Sequence, residues 1–176
     1  MRALRRLANP FALLTLLVLV ACIRADRRYD YPAWGFSIVF PGPPRVIDDP
    51  ATPDRGASFE VKQGGDDSPI REVNVVDTAP GETHDSITSD HAAHEVAAIA
   101  GDAAAPRAVI TPEGVAGREV RFSHDGKPIF IARYFLAGRR LYELDASAID
   151  GFDDPFLAGF LNSLRITRAG SAPSPR

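Results

Sequence analysis

The chain has 176 residues, a formal charge of −3, 45% hydrophobic residues and one cysteine. That length suits one domain around one hydrophobic core, and a single cysteine excludes an intramolecular disulfide. With 23 acidic against 20 basic residues and no basic run, the composition argues against nucleic-acid binding, which depends on Lys and Arg neutralising phosphate.

The amino terminus reads as a leader. Met1 to Ala8 carries Arg2, Arg5 and Arg6 and no acid, and Phe11 to Val20 is apolar apart from Thr15. A basic start, a short apolar stretch and small residues at a cut describe a secretory signal. A helix from Phe11 to Ile23 would cover about 20 Å, short of a hydrocarbon core of about 30 Å. Arg24, Asp26, Arg27 and Arg28 then close the apolar run. Residues 1–21 are therefore predicted to be a signal peptide, forming a signal helix ahead of the domain.

The tetrapeptide Leu19-Val20-Ala21-Cys22 resembles the lipobox of bacterial lipoproteins. The resemblance implies cleavage before Cys22, a diacylglyceryl group on its thiol, and further acylation of the palmitate kind. Each buried methylene adds about 0.8 kcal/mol to anchoring, so two or three chains hold a protein firmly. The resemblance also implies an exported, periplasm-facing protein whose first partner is a lipid bilayer. Ile23 after the cysteine points to the outer membrane in a cell that has two. A plainly cleaved signal with an incidental thiol is the alternative, and an uncleaved anchor a second one.

Residues 22–33 read as a polar tether ending in Tyr29, Tyr31 and, just beyond, Trp34, a candidate docking patch near the membrane or an aromatic group packed on a sheet. Residues 34–168 read as one domain. Phe36, Ile38 and Phe40 alternate with Ser37 and Val39 until Pro41-Gly42-Pro43-Pro44 stops the strand. Ala57 to Gln63 and Arg71 to Asp77 alternate in the same way, around a turn at Gly64-Gly65-Asp66-Asp67. Three antiparallel strands are the simple reading.

The period changes at Ser86 to Ala100, where Ala92, Val96 and Ile99 share one helical face and Asp90, His91 and His94 point away. Ser86 or Ser89 suits the start and Gly101 the end. Strands return at Arg107 to Thr111 and Gly117 to His124, and Asp125-Gly126 marks a tight hairpin. Pro128 to Ala137, apolar on both faces, reads as a central strand paired with Arg139 to Ala146 across Gly138. Asp153 or Asp154 caps a last helix with Pro155 in its first turn and Phe156, Leu157, Phe160, Leu161 and Leu164 as its apolar stripe. Residues 169–176 read as a disordered tail.

Hairpin-linked strands and two helices with one apolar stripe each predict an α+β fold: an antiparallel sheet of about six to seven strands flanked by two main helices, an α/β sandwich. The segments Gly35 to Pro44, Gly117 to Val120, Arg140 to Leu144 and Phe160 to Leu164 resemble landmarks of PsbP-like and DcrB-like domains. That family includes extrinsic photosystem subunits and bacterial envelope lipoproteins. The resemblance implies a non-enzymatic binding or assembly role, and brings no shared catalytic residue and no cofactor beyond the lipid on Cys22.

The richest polar stretch runs from His84 to Glu95. His91, His94 and Glu95 lie within one helical turn and are permissive for a divalent metal such as zinc. A solvated helix face, with a His91–Glu95 pair worth about 0.2–0.5 kcal/mol, accounts for the same residues. Asp153-Asp154 reads as a helix cap, His124 as a turn residue, and Arg139-Arg140 as a solvated hairpin edge. No nucleophile elbow, phosphate loop, dinucleotide fingerprint or cysteine cluster is present. An envelope binding or assembly module is the leading expectation. An envelope enzyme or metal-binding protein using the His84–Glu95 segment and a small-molecule carrier are the alternatives.

Overall fold

The computed structural model describes residues 26–49, 56–62, 70–148 and 150–167. The expected signal, Cys22, the turn at Gly64 to Asp67 and the tail 169–176 lie outside them. The strands are β1 (Arg27–Tyr31), β2 (Phe36–Phe40), β3 (Arg45–Asp49), β4 (Gly56–Lys62), β5 (Ile70–Asp77), β6 (Asp102–Ala103), β7 (Arg107–Ile110), β8 (Ala116–His124), β9 (Lys127–Ala137), β10 (Arg140–Ser147) and β11 (Arg165–Ile166). The helices are α1 (His84–Ile99) and α2 (Pro155–Leu161).

Among the described residues there are two sheets where the sequence predicts one. The large sheet has eight strands in the order β3-β4-β5-β10-β9-β8-β6, with β7 also paired to β8; the small one is β1-β2-β11. All pairings are antiparallel. The predicted strand count fails because β6 and β11 are two residues each, too short for alternation to show, and β3 follows the proline-rich stop. β2 does not join β4 as expected. It pairs instead with β1, drawn from the polar segment read as a tether. Alternation places residues on a face but does not choose the partner strand.

The molecule has three layers. One face of the large sheet presents Phe59, Val73, Val75, Phe135, Tyr142 and Leu144 to the small sheet and α2, whose Phe36, Ile38, Phe40, Leu157 and Phe160 complete the main core. The opposite face of β8 and β9 presents Val120, Phe122, Ala132 and Tyr134 to α1, which brings Ile87, Ala92, Val96 and Ile99. The predicted apolar stripe of α1 is therefore the one used.

Local signals hold at most element ends. Asp125 and Gly126 both have positive φ, 50° and 72°, as a two-residue hairpin of this sequence requires. Asp154 caps α2 with its carboxylate accepting from the Phe156 N–H at 2.9 Å. The cap of α1 is Thr83, one turn earlier than predicted: its hydroxyl accepts from the Ser86 N–H and the Ser86 hydroxyl accepts from the Thr83 N–H. At the other end His124 donates from Nδ1 to the Ala100 carbonyl at 2.9 Å. That contact gives the predicted turn histidine a second task, closing a helix end. Gly101 and Gly117 are required by close approach, since an added Cβ would lie 2.3 Å from the Ser123 carbonyl and 2.5 Å from the Tyr134 carbonyl respectively.

Candidate functional site: a carboxylate-lined groove beside α1

Strand β10 explains the site. Tyr142, Leu144 and Ala146 turn to the main core, so Glu143 and Asp145 turn to the face that carries α1. On β5 the same alternation buries Val73 and Val75 and leaves Glu72 and Asn74 on that face. Helix α1 packs over β8, β9 and β6, so it covers only part of the sheet. The uncovered part, over β10 and β5, is an open groove of about 490 Å³ walled on one side by the helix.

Register aligns the polar groups in two rows across the strands. Glu60, Glu72 and Asp145 form one, and Ser58, Asn74, Glu143 and Tyr134 the next. Like charges directly opposite each other are destabilising. The relief is partial: the Ser58 hydroxyl donates to Glu72 at 2.5 Å, Asn74 donates to Asp145 at 3.4 Å, and Arg45 stands 3.9 Å from Glu60 at the sheet edge.

His91 crosses from the helix to the sheet. Its Nδ1 donates to Glu143 Oε1 at 3.1 Å, and its ring meets Tyr134 edge-on at 5.5 Å. The hydrogen bond to Glu143 raises the His91 pKa; burial opposes it, and the charges of Glu143, Glu95 and Asp90 add to the rise. Asp145 remains partly open to solvent, yet its carboxyl is closely surrounded by protein. Burial, followed by the charges of Glu143, Glu72 and Glu95, pushes its pKa well above the carboxylate range. Tyr134 is fully buried beside the His91 ring. Burial raises its pKa most, and Glu143, Asp145 and Glu95 raise it further.

A pH dependence follows. The His91–Glu143 pair adds stability below about pH 6.5, the ordinary histidine value, and that contribution fades as pH rises through the raised folded-state pKa. Asp145 acts in the same direction from the carboxylate range upward, because the folded state resists its ionisation. Urea midpoints should therefore drop from pH 6 to pH 8, and His91→Ala should flatten that slope while Asp145→Asn flattens the more acidic part. The His91 effect is small because its side chain is 39% exposed. An unchanged slope in His91→Ala would remove the pair from the account.

The predicted site residues meet different fates. His91 was expected to point away from the sheet; it faces it, because Glu143 lies within reach. His91, His94 and Glu95 all line the groove. Among the described residues, however, no three His, Cys, Asp or Glu side chains are grouped to hold a metal ion, so the predicted metal triad is not assembled. His94 is exposed, while His84, at the start of the stretch, accepts the Leu136 N–H on Nε2 at 2.9 Å and pins the helix start to β9.

Tyr29, Tyr31 and Trp34 pack on the main core as partly buried residues. Tyr31 stacks on Phe36 at 4.9 Å and lies 4.3 Å from Phe59, and Trp34 meets Phe59 at 6.3 Å. Burial, then Tyr29, pushes the Tyr31 pKa up to about 12. Of the two expectations for these aromatics, packing is the one observed. Glu72, Tyr134, Glu143 and Asp145 went unnoticed in the sequence. Their signal was acidic residues alternating along strands otherwise apolar enough to be central.

No family model matches the chain, and no curated protein matches it. Among solved structures, the solution structure of cyanobacterial PsbP (CyanoP) from Synechocystis sp. PCC 6803 matches with a TM-score of 0.55 at 14% identity, over 82% of this chain and 94% of that one. At that identity the likeness concerns the fold alone: this chain folds as a PsbP-like α+β domain.

Proposed function

We propose that the chain is an exported, lipid-anchored binding or assembly module of the cell envelope, and that it binds through the groove between α1 and strands β10 and β5. The groove carries the reading: an open space of about 490 Å³, within the range of about 300–1,000 Å³ common for ligand sites, set on a rigid sheet. Its volume equally favours a small-molecule carrier.

The anchoring half rests on Leu19-Val20-Ala21-Cys22 at the end of a basic and then apolar leader. No helix among the described residues is long and apolar enough to cross a membrane. Only Ile23, Arg24, Ala25 and Asp26 separate Cys22 from β1. At about 3.3–3.6 Å per residue the leash spans at most roughly 18 Å. Lipid on Cys22 would hold the domain against the bilayer, where local concentration supports even modest affinities.

Two measurements check this in cells. Cys22→Ser should move the protein from the membrane to the soluble fraction or block its processing; unchanged fractionation would refute the anchor. A photocrosslinking residue at His94, in the groove, should give a discrete adduct that the same residue at exposed Phe156, on α2 across the large sheet, does not. Identical patterns at the two positions would refute the groove.

A further inference from the structure

Among the described residues three large apolar side chains stand exposed: Val46, Ile110 and Phe156. A single exposed phenylalanine is ordinary, but two observations set Phe156 apart. The first is its helix. In α2, Leu157, Phe160 and Leu161 are buried, while Pro155, Phe156, Ala158 and Gly159 are exposed, and none of the seven residues is polar. Phe156 is 75% exposed. A surface helix ordinarily turns charged residues outward, and one that is apolar all round ordinarily has apolar surroundings.

The second is where the chain enters the domain. β1 begins at Arg27, opposite Phe40, and the Phe40 ring packs 5.6 Å from Phe160 of α2. Arg28 donates to the Ser163 carbonyl, just past the helix, at 3.0 Å. Arg71 lies 6.0 Å over the Phe160 ring. Burial lowers its pKa, and the charges of Asp154, the cap of α2, and of Asp26 both work against that. The amino end of β1 thus lies beside α2, and a leash of at most roughly 18 Å joins it to Cys22.

Resting on the reading of Cys22 as a lipid anchor, we infer that the outer face of α2 lies in the bilayer surface, with Phe156 inserted among the lipids. The short leash holds the membrane close to this side of the domain, and an apolar helix face lying in the plane of a membrane enters it by about 5–10 Å. Asp26, Arg27 and Asp153 are exposed nearby and stay at the level of the headgroups. No other segment of the chain suits the face: residues 50–55, 63–69 and 168–176, outside the described ones, contain no aromatic residue and no Leu, Ile, Val or Met. Helices α2 and α1 pack on opposite faces of the large sheet, so the groove beside α1 opens away from the membrane.

Gly159 offers a probe position, exposed on this face with nothing within 4 Å of an added Cβ. The lipidated full chain carries a nitrobenzoxadiazole fluorophore on Gly159→Cys or, on the exposed side of α1, on Ala97→Cys. It is reconstituted into vesicles of phosphatidylethanolamine and phosphatidylglycerol, with mass spectrometry reporting the state of Cys22. The probe on Gly159→Cys should shift to the blue and be quenched by bromolipids at a depth of about 5–10 Å; the probe on Ala97→Cys should do neither. Phe156→Glu should abolish the quenching and Phe156→Leu should keep most of it, with circular dichroism confirming that both fold. With Cys22 acylated, absent quenching on Gly159→Cys, equal quenching at the two positions, or quenching indifferent to Phe156→Glu overturns the inference and leaves the anchor standing. A blue shift without bromolipid quenching assigns the face to a second copy of the chain and overturns it as well. A bare thiol at Cys22 removes the anchor, and this inference with it.

Discussion

Glu119→Ala is expected to destabilise the domain by about 3–5 kcal/mol, the usual cost of removing one partner from a buried ion pair. The Glu119 side chain is fully buried on β8 and is paired with three arginines: Arg133 at 2.8 Å, Arg121 at 3.1 Å and Arg107. Burial pushes its pKa up, but hydrogen bonds from Arg133 and Arg121 and the charges of Arg133 and Arg107 outweigh it and hold the carboxyl below the usual range. Its contribution is therefore present above the ordinary carboxylate pKa and is lost as pH falls through the depressed one.

Arg133 gives the cluster its reach. Its guanidinium also donates to the Leu161 carbonyl at 2.9 Å and to Asn162 at 2.8 Å, so it ties the end of α2 to the sheet. Without Glu119, Arg133 keeps its charge at 11% exposure and loses its only carboxylate among the described residues. Urea unfolding measures the loss. A change under 1 kcal/mol would mean that the arginines relax into solvent and that the cluster is not a fixed part of the core.

The second large effect is Asp77→Ala, with a similar expected cost of about 3–5 kcal/mol. Arg140 is 2% exposed. It donates to Asp77 from Nε at 2.9 Å and from a terminal nitrogen at 3.3 Å, and its plane lies 5.5 Å from the Trp34 ring. It also donates to the Trp34 carbonyl at 3.4 Å, which the Tyr142 hydroxyl reaches at 2.9 Å. The pair thus fastens the β1–β2 turn of the small sheet to the large one.

Trp34 is the only tryptophan, so its emission reports this joint directly. Asp77→Ala should redden the emission as well as lower the urea midpoint. Adding Arg140→Met to Asp77→Ala should recover much of the stability, because exchanging a buried pair for apolar groups is often close to neutral. If the double variant is no more stable than the single one, the loss lies in strand packing and not in an orphaned charge.

Arg139-Arg140 shows where sequence reading stops. The pair was legible as a hairpin edge, and Arg139 is indeed exposed. Arg140 points the other way because alternation on β10 places it on the core face with Tyr142 and Leu144. Whether an arginine there is expelled or buried depends on Asp77, 63 residues earlier and brought opposite by the β5–β10 register. Glu119 follows the same logic: it reads as a polar residue on the strand Gly117 to His124, and three arginines gathered from β7, β8 and β9 make its burial possible.

The groove was half visible. The His84–Glu95 segment stood out as a polar run on a helix, and the sheet side did not stand out, since Glu72 and Glu143 look like the polar half of ordinary alternating strands. The α+β class, the two helices, the apolar stripe of α1, the Asp125-Gly126 hairpin and the Asp154 cap were written in the sequence, because periodicity, turn chemistry and capping act between neighbours in the chain. The division into two sheets, the strand made from Arg27 to Tyr31, the burial of Arg140 and Glu119, and the meeting of His91 with Glu143 were decided by tertiary structure. Each depends on which strand lies beside which, and that choice is made by the packing of distant apolar faces against one another.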